Sequence, residues 1–160
     1  MKRLYFLAIL FIMSAIASSA QVSSVFDRYS DTKDVSAVYI SKTMLRMIPN
    51  FGANGTNSPA ELISKLDCIR VLSTPNPSLI KKMSEDFKSE IKKEKYEVLL
   101  QATENGERVF IYMKTGKDDI NEYLITAEDP EESNYVLIVG TITPADVMKM
   151  NESKSLPLRK

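Results

Sequence analysis

The sequence predicts an α+β domain, with a mostly antiparallel sheet, a C-terminal four-strand meander and helices packed on one face. Three observations predict it. A long helical repeat of apolar residues follows Asn76-Pro77, strict alternation takes over from Tyr96, and Asn105-Gly106 interrupts that alternation with a hairpin turn. With 160 residues, 44% of them hydrophobic and 26% charged, the chain has material for one core and one domain.

Residues 1–20 read as a secretory signal peptide and stand outside the fold. Lys2 and Arg3 supply the positive start, an apolar run follows, and Ser18-Ser19-Ala20 places small residues before a cleavage point at Gln21. The run is shorter than the roughly 20 residues of a spanning helix. Without Lys2 and Arg3 the chain keeps 19 basic residues against 21 acidic ones, a net charge of −2. The domain is expected over residues 21–150, with a polar, disordered tail at 151–160.

Val22, Val25, Phe26 and Tyr29 share one side of a short helix. Val35-Ser36-Ala37-Val38-Tyr39-Ile40 is β-branched and aromatic, hence a strand. Residues 42–48 form a helix with Met44, Leu45, Met47 and Ile48, apolar nearly all round and therefore expected to be buried; Pro49 ends it. Residues 50–57 are a Gly/Asn-rich loop, and Ser58, Pro59 and Glu61 open a short helix by capping. A second strand follows at 67–73. Asn76-Pro77 then starts the longest helix, reaching about Lys93, with Leu79, Ile80, Met83, Phe87 and Ile91 as its core stripe.

In the hairpin around Asn105-Gly106, the register opposes Ala102 to Val109, Leu100 to Ile111, Val98 to Met113 and Glu97 to Lys114. The apolar pairs are assigned to the core face. Turns at 115–118 and 129–133 lead into strands at 121–127 and 135–142, the last apolar at successive positions as in a strand covered on both faces. Thr143-Pro144-Ala145-Asp146 caps a closing helix.

The segments Phe26-Asp27-Arg28-Tyr29, Val38-Tyr39-Ile40-Ser41-Lys42 with Met44-Leu45, and Ile63-Ser64-Lys65-Leu66-Asp67 leading to Ile69-Arg70-Val71-Leu72 carry a resemblance. With the meander and Gly140-Thr141-Ile142 before Asp146, the chain resembles an exported Bacteroidetes family filed as a domain of unknown function, DUF4252. The resemblance covers most of the mature chain, although each motif alone is short. It implies a place in the periplasm or cell envelope and a link to envelope signalling, and it supplies no catalytic residues.

Composition excludes several chemistries. The chain has no histidine, which removes Ser-His-Asp and Cys-His catalysis and the familiar zinc sites. One cysteine, Cys68, excludes an internal disulfide, and its apolar neighbours favour a buried, inert thiol. The balanced charge argues against a nucleic-acid partner. Acidic residues cluster at Asp118, Asp119 and Glu122 and at Glu128, Asp129, Glu131 and Glu132, without the spacing of an EF-hand loop; solubilising turn tips are the plainer account. Residues 52–55 lack the Lys-Ser/Thr of a phosphate loop, and neither Ser41-Lys42 nor Ser64-Lys65 has S-x-x-K spacing. Asn54-Gly55-Thr56 and Asn151-Glu152-Ser153 match the glycosylation acceptor, a coincidence in a bacterial envelope.

The expected function is therefore non-enzymatic binding to a protein partner or a second copy, with no cofactor or metal, and membrane contact only through the transient signal peptide. The expected surface is the outer face of the meander, with Leu99, Phe110, Tyr112 and Leu124. The alternative is a carrier or sensor of a small apolar ligand, with a pocket between the sheet and the helix of Met44 and Met47. An enzyme stands third.

Overall fold

Asn105 and Gly106 take φ values of +50° and +93°, the left-handed pair that a type I′ turn requires. The computed structural model describes residues 22–47 and 59–146 and builds the fold outward from that hairpin. The helices are α1 (Val22–Tyr29), α2 (Lys42–Met47), α3 (Pro59–Ser64) and α4 (Pro77–Lys93). The strands are β1 (Ser36–Ser41), β2 (Leu66–Thr74), β3 (Glu97–Glu104), β4 (Glu107–Thr115), β5 (Asn121–Glu128) and β6 (Ser133–Gly140). They form one six-stranded sheet in the order β1-β2-β6-β5-β4-β3, antiparallel throughout. The meander β3–β6 is as the sequence predicts, and the β1–β2 pair docks beside its last strand.

The long helix starts where Asn76 Oδ1 accepts hydrogen bonds from the Ser78 and Leu79 amides, at 3.0 and 3.4 Å. Its Met83, Phe87 and Ile91 join Val22, Val25, Phe26 and Tyr29 of α1 over Leu72, Tyr112, Leu124, Tyr135 and Leu137 of the sheet. Phe87 stacks on Tyr135 at 4.1 Å and meets Phe26 edge-on at 5.3 Å. Consecutive strand residues point to opposite faces, so Tyr123 faces away from this core. There it joins Leu45 of α2, Leu62 of α3, Leu66 and Ile142 in a second, smaller core. The two longer helices thus share one face, and the two six-residue helices lie against one end of the other.

Three local expectations are corrected. A bulge between Val98 and Leu100 shifts the hairpin register, so that Val98 opposes Tyr112 and Glu97 opposes Met113, while Leu100–Ile111 and Ala102–Val109 stand as predicted. Lys114 consequently pairs with Glu94 at 2.9 Å and Glu122 at 3.8 Å instead of Glu97. Of the helix at 42–47 only Leu45 is buried, and Met44 and Met47 are 57% and 71% exposed, because α2 rests on the sheet by a single side chain.

Thr143 and Asp146 cap the turn at 144–146 reciprocally. The Thr143 amide and hydroxyl donate to Asp146 Oδ2 at 2.9 and 2.7 Å, and the Asp146 amide donates to Thr143 Oγ1 at 3.2 Å. The expected signal peptide, Ile48, Pro49, the expected loop at 50–57 and Ser58 cap, both glycosylation matches and the expected tail at 151–160 lie outside the described residues.

Candidate functional site

The pairing register sorts every sheet residue onto one of two faces. On the face under α1 and α4, a row runs Tyr39, Arg70, Leu137, Leu124, Tyr112, Val98. Leu124 is fully buried there, Tyr112 is buried, and Phe110 packs on the same core and stacks with Tyr112 at 5.6 Å. Three of the four side chains expected on an outer contact surface are therefore interior. Leu99 alone is exposed, at the bulge. The reason is polar pairing. Lys114, the charged residue next to Tyr112 on this face, is satisfied there: it lies between Glu94 and Glu122 and over the Tyr96 ring, and the Tyr96 hydroxyl donates to Glu122. Burial, then that hydrogen bond, pushes the Tyr96 hydroxyl far above its ordinary pKa.

The opposite face is the open one. Its residues fall into three rows across the strands. The first, Ile40, Ile69, Ile138, Tyr123 and Met113, lies in the small core under α2 and α3. The second, Val38, Val71, Val136, Ile125, Ile111 and Leu100, crosses all six strands and is aliphatic at every position. None of these six is buried; Val38 and Leu100, at the two ends, are 51% and 45% exposed. The third row, Ser36, Ser73, Asn134, Ala127, Val109 and Ala102, is small or polar. Beyond it Glu104 and Glu107 pair at the hairpin tip, and Glu97 ends the first row, so exposed carboxylates flank the β3 end of the aliphatic row.

The row was missed from sequence because β4 is apolar on both faces: Val109, Ile111 and Met113 alternate with Phe110 and Tyr112. Residue size was the available signal. The larger aromatic side chains face the thick helix layer, and the smaller aliphatic ones face outward.

A cleft of about 490 Å³ lies between α4 and the tips of β4 and β5. Lys81, Lys88 and Arg108 line it together with Glu85, Glu128 and Asp129, so neither sign of charge prevails. Inside it Glu128 accepts a hydrogen bond from the Tyr135 hydroxyl at 2.9 Å, with Lys88 and Arg108 at 3.6 and 3.8 Å from its other oxygen. Burial, then the charge of Glu128, raises the Tyr135 pKa far above the ordinary tyrosine value. This arrangement neutralises a carboxylate at the edge of the main core.

The acidic tips build turns. Asp129 Oδ1 accepts from the Glu131 and Glu132 amides at 2.6 and 2.7 Å, and Asp118 and Asp119 both hold left-handed backbone, with φ of +57° and +58°. Among the described residues no group of three or more His, Cys, Asp or Glu could hold a metal ion. Cys68 is half-buried, and burial raises its thiol pKa, which lowers its reactivity. Among the described residues no helix is long and apolar enough to cross a membrane.

No curated protein and no solved structure matches the chain. One family model does, from the end of α1 through the whole sheet. Matched over residues 29–150, the chain belongs to the family described as Domain of unknown function (DUF4252).

Proposed function

We propose that this is a non-enzymatic, exported binding domain of the periplasm or cell envelope, and that it binds through the open face of its sheet. The carrying observation is the unbroken aliphatic row from Val38 to Leu100, bounded on one side by a small core and on the other by small and polar residues. The signal-peptide pattern of residues 1–20 supports export.

The dimensions favour a particular partner. Five inter-strand steps of about 4.8 Å make the row about 24 Å long, the length of a helix of roughly 16 residues. A partner helix laid across the strands would extend the layer already begun by α2 and α3. Its apolar stripe would cover the row, and basic residues at one end would meet Glu97, Glu104 and Glu107. Each aliphatic side chain would gain on the order of 1 kcal/mol, because part of its surface is already out of water. Six such gains only match the lower range of association costs, about 4–15 kcal/mol, so the charged end has to supply selectivity and the remaining affinity.

A photo-reactive residue at position 125, compared with one at Lys82 on the solvent side of α4, tests this in the native envelope. The expected result is crosslinking from 125 to an amphipathic helix of a protein, lost when Ile111→Lys is added, with circular dichroism and thermal unfolding showing the fold intact. Equal labelling from both positions, or labelling of lipid or a small molecule alone from 125, overturns the reading.

A further inference from the structure

The two edges of the sheet are protected differently. β3 carries Glu97 and Glu104 at its ends and a bulge at Leu99, all of which discourage pairing with another strand. β1, Ser-Ala-Val-Tyr-Ile-Ser, contains no charge and no proline, and its pairing with β2 runs without irregularity. Val38 and Tyr39 on it are 51% and 65% exposed. An edge without such devices is a template for a further strand.

The sequence around β1 is complementary to itself. In an antiparallel pair about a twofold axis perpendicular to the sheet, opposed residues must share a face. An axis at Val38 sets Val38 against Val38, Ser36 against Ile40 and Ala37 against Tyr39. Just beyond the strand ends it brings the turn of each copy that holds Asp34, where the backbone is left-handed, toward the start of α2 in the other, where Lys42 stands. Moving the axis to Tyr39 opposes two large rings and sets Val38 against Ile40. Moving it to Ala37 sets Tyr39 against Val35 and leaves Ile40 beyond the end of the opposed strand. Only the Val38 register, among the three, sets the strand's largest side chains, Tyr39 and Ile40, against small ones.

The ground beside the strand fits that register. A groove of about 230 Å³ borders β1, lined by Phe26, Ser30, Ala37, Tyr39, Arg70 and Leu72. The small Ala37 leaves room there for the ring of the opposed tyrosine. Arg70 stiffens the groove: its guanidinium lies 5.4 and 5.7 Å from the Phe26 and Tyr39 rings, donates to the Ser23 carbonyl at 3.1 Å and pairs with Asp27. Asp34 and Lys42 also have partners within the chain, Asn76 and Asp67, so the pairs between copies add register more than strength.

We propose that β1 pairs antiparallel with β1 of a second copy about an axis at Val38, joining two six-stranded sheets into one. Both open faces then lie on the same side, and their aliphatic rows become continuous through Val38. An edge of six residues buries less than an obligate dimer interface does, so the dimer is concentration-dependent.

Mild oxidation of Val38→Cys in a Cys68→Ser background tests the register on the mature chain. Directly opposed strand residues have Cα atoms about 4.5–5.5 Å apart, within disulfide range. A disulfide-linked dimer is expected from Val38→Cys and not from Ile40→Cys, which faces Ser36. Sedimentation of the unmodified chain over a concentration series should show reversible dimerisation. Asp34→Lys should weaken it roughly tenfold through two symmetric pairs, and adding Lys42→Asp should restore it. A chain that is monomeric at every concentration, or equal crosslinking from positions 38 and 40, overturns the proposal. Ile111→Lys leaves β1 intact and should crosslink normally through position 38, so failure here and failure of the open-face reading are told apart.

Discussion

Gly140 stands where two backbones meet. A Cβ added there would lie 2.2 Å from the Lys65 carbonyl oxygen and 2.8 Å from Leu66 Cα, both main-chain atoms that no rotamer can move. The closeness is used: the Thr141 amide donates to that same Lys65 carbonyl at 2.9 Å. Gly140→Ala is expected to destabilise the domain by about 1–3 kcal/mol, read from the urea midpoint. A few residues on, Lys65 bonds Asp146 at 2.9 Å. This bond, followed by those from Thr143, holds the Asp146 carboxyl far below the ordinary carboxylate range. Its folded pKa lies under its unfolded one, so the stabilisation is complete above the unfolded value of about 4 and is lost as pH falls toward the folded value. Acidification below about pH 4 should therefore lower the melting temperature of the wild type more steeply than that of Asp146→Asn. Equal slopes would show that this carboxylate does not contribute.

Helix and strand boundaries follow from local chemistry, and there the sequence is readable. Asn76 followed by Pro77 announces α4, and the Asn76 side chain does cap it. Asn76→Ala should cost about 1 kcal/mol in thermal or urea unfolding, and Asn76→Asp should recover most of it. Asn105-Gly106 likewise sets the hairpin turn and the first two apolar pairs beyond it. The register is lost at Leu99, because alternation cannot reveal an extra residue inserted into a strand whose every side chain is exposed. The facing of β4 fails for a related reason. Lys114 and Arg108 share the Phe110–Tyr112 side, where Glu94 and Glu122 flank the first and Glu128 lies 3.8 Å from the second, and those partners come from other elements. Polar satisfaction is a tertiary fact, which spacing along one strand does not contain.

Across the whole molecule, the order of strands was the least accessible feature, since β2 pairs with β6 through contacts between Leu66 and Gly140 at one end and Thr74 and Ser133 at the other. Local turns give the meander; only packing gives this junction. It also decides which surfaces remain open, because α1 and α4 together cover one face while α2 and α3 reach only the end of the other. The junction bears on how the chain is made. β6 is the last of the six strands in chain order and yet lies inside the sheet, between β2 and β5. Until residues 133–140 have emerged, the β1–β2 pair and the β3–β5 strands have no common neighbour, and each exposes an edge that the finished domain hides. A ribosome stalled before Ser133 would hold two unjoined pieces rather than a smaller domain, so this sheet becomes a single object only once its sixth strand is out.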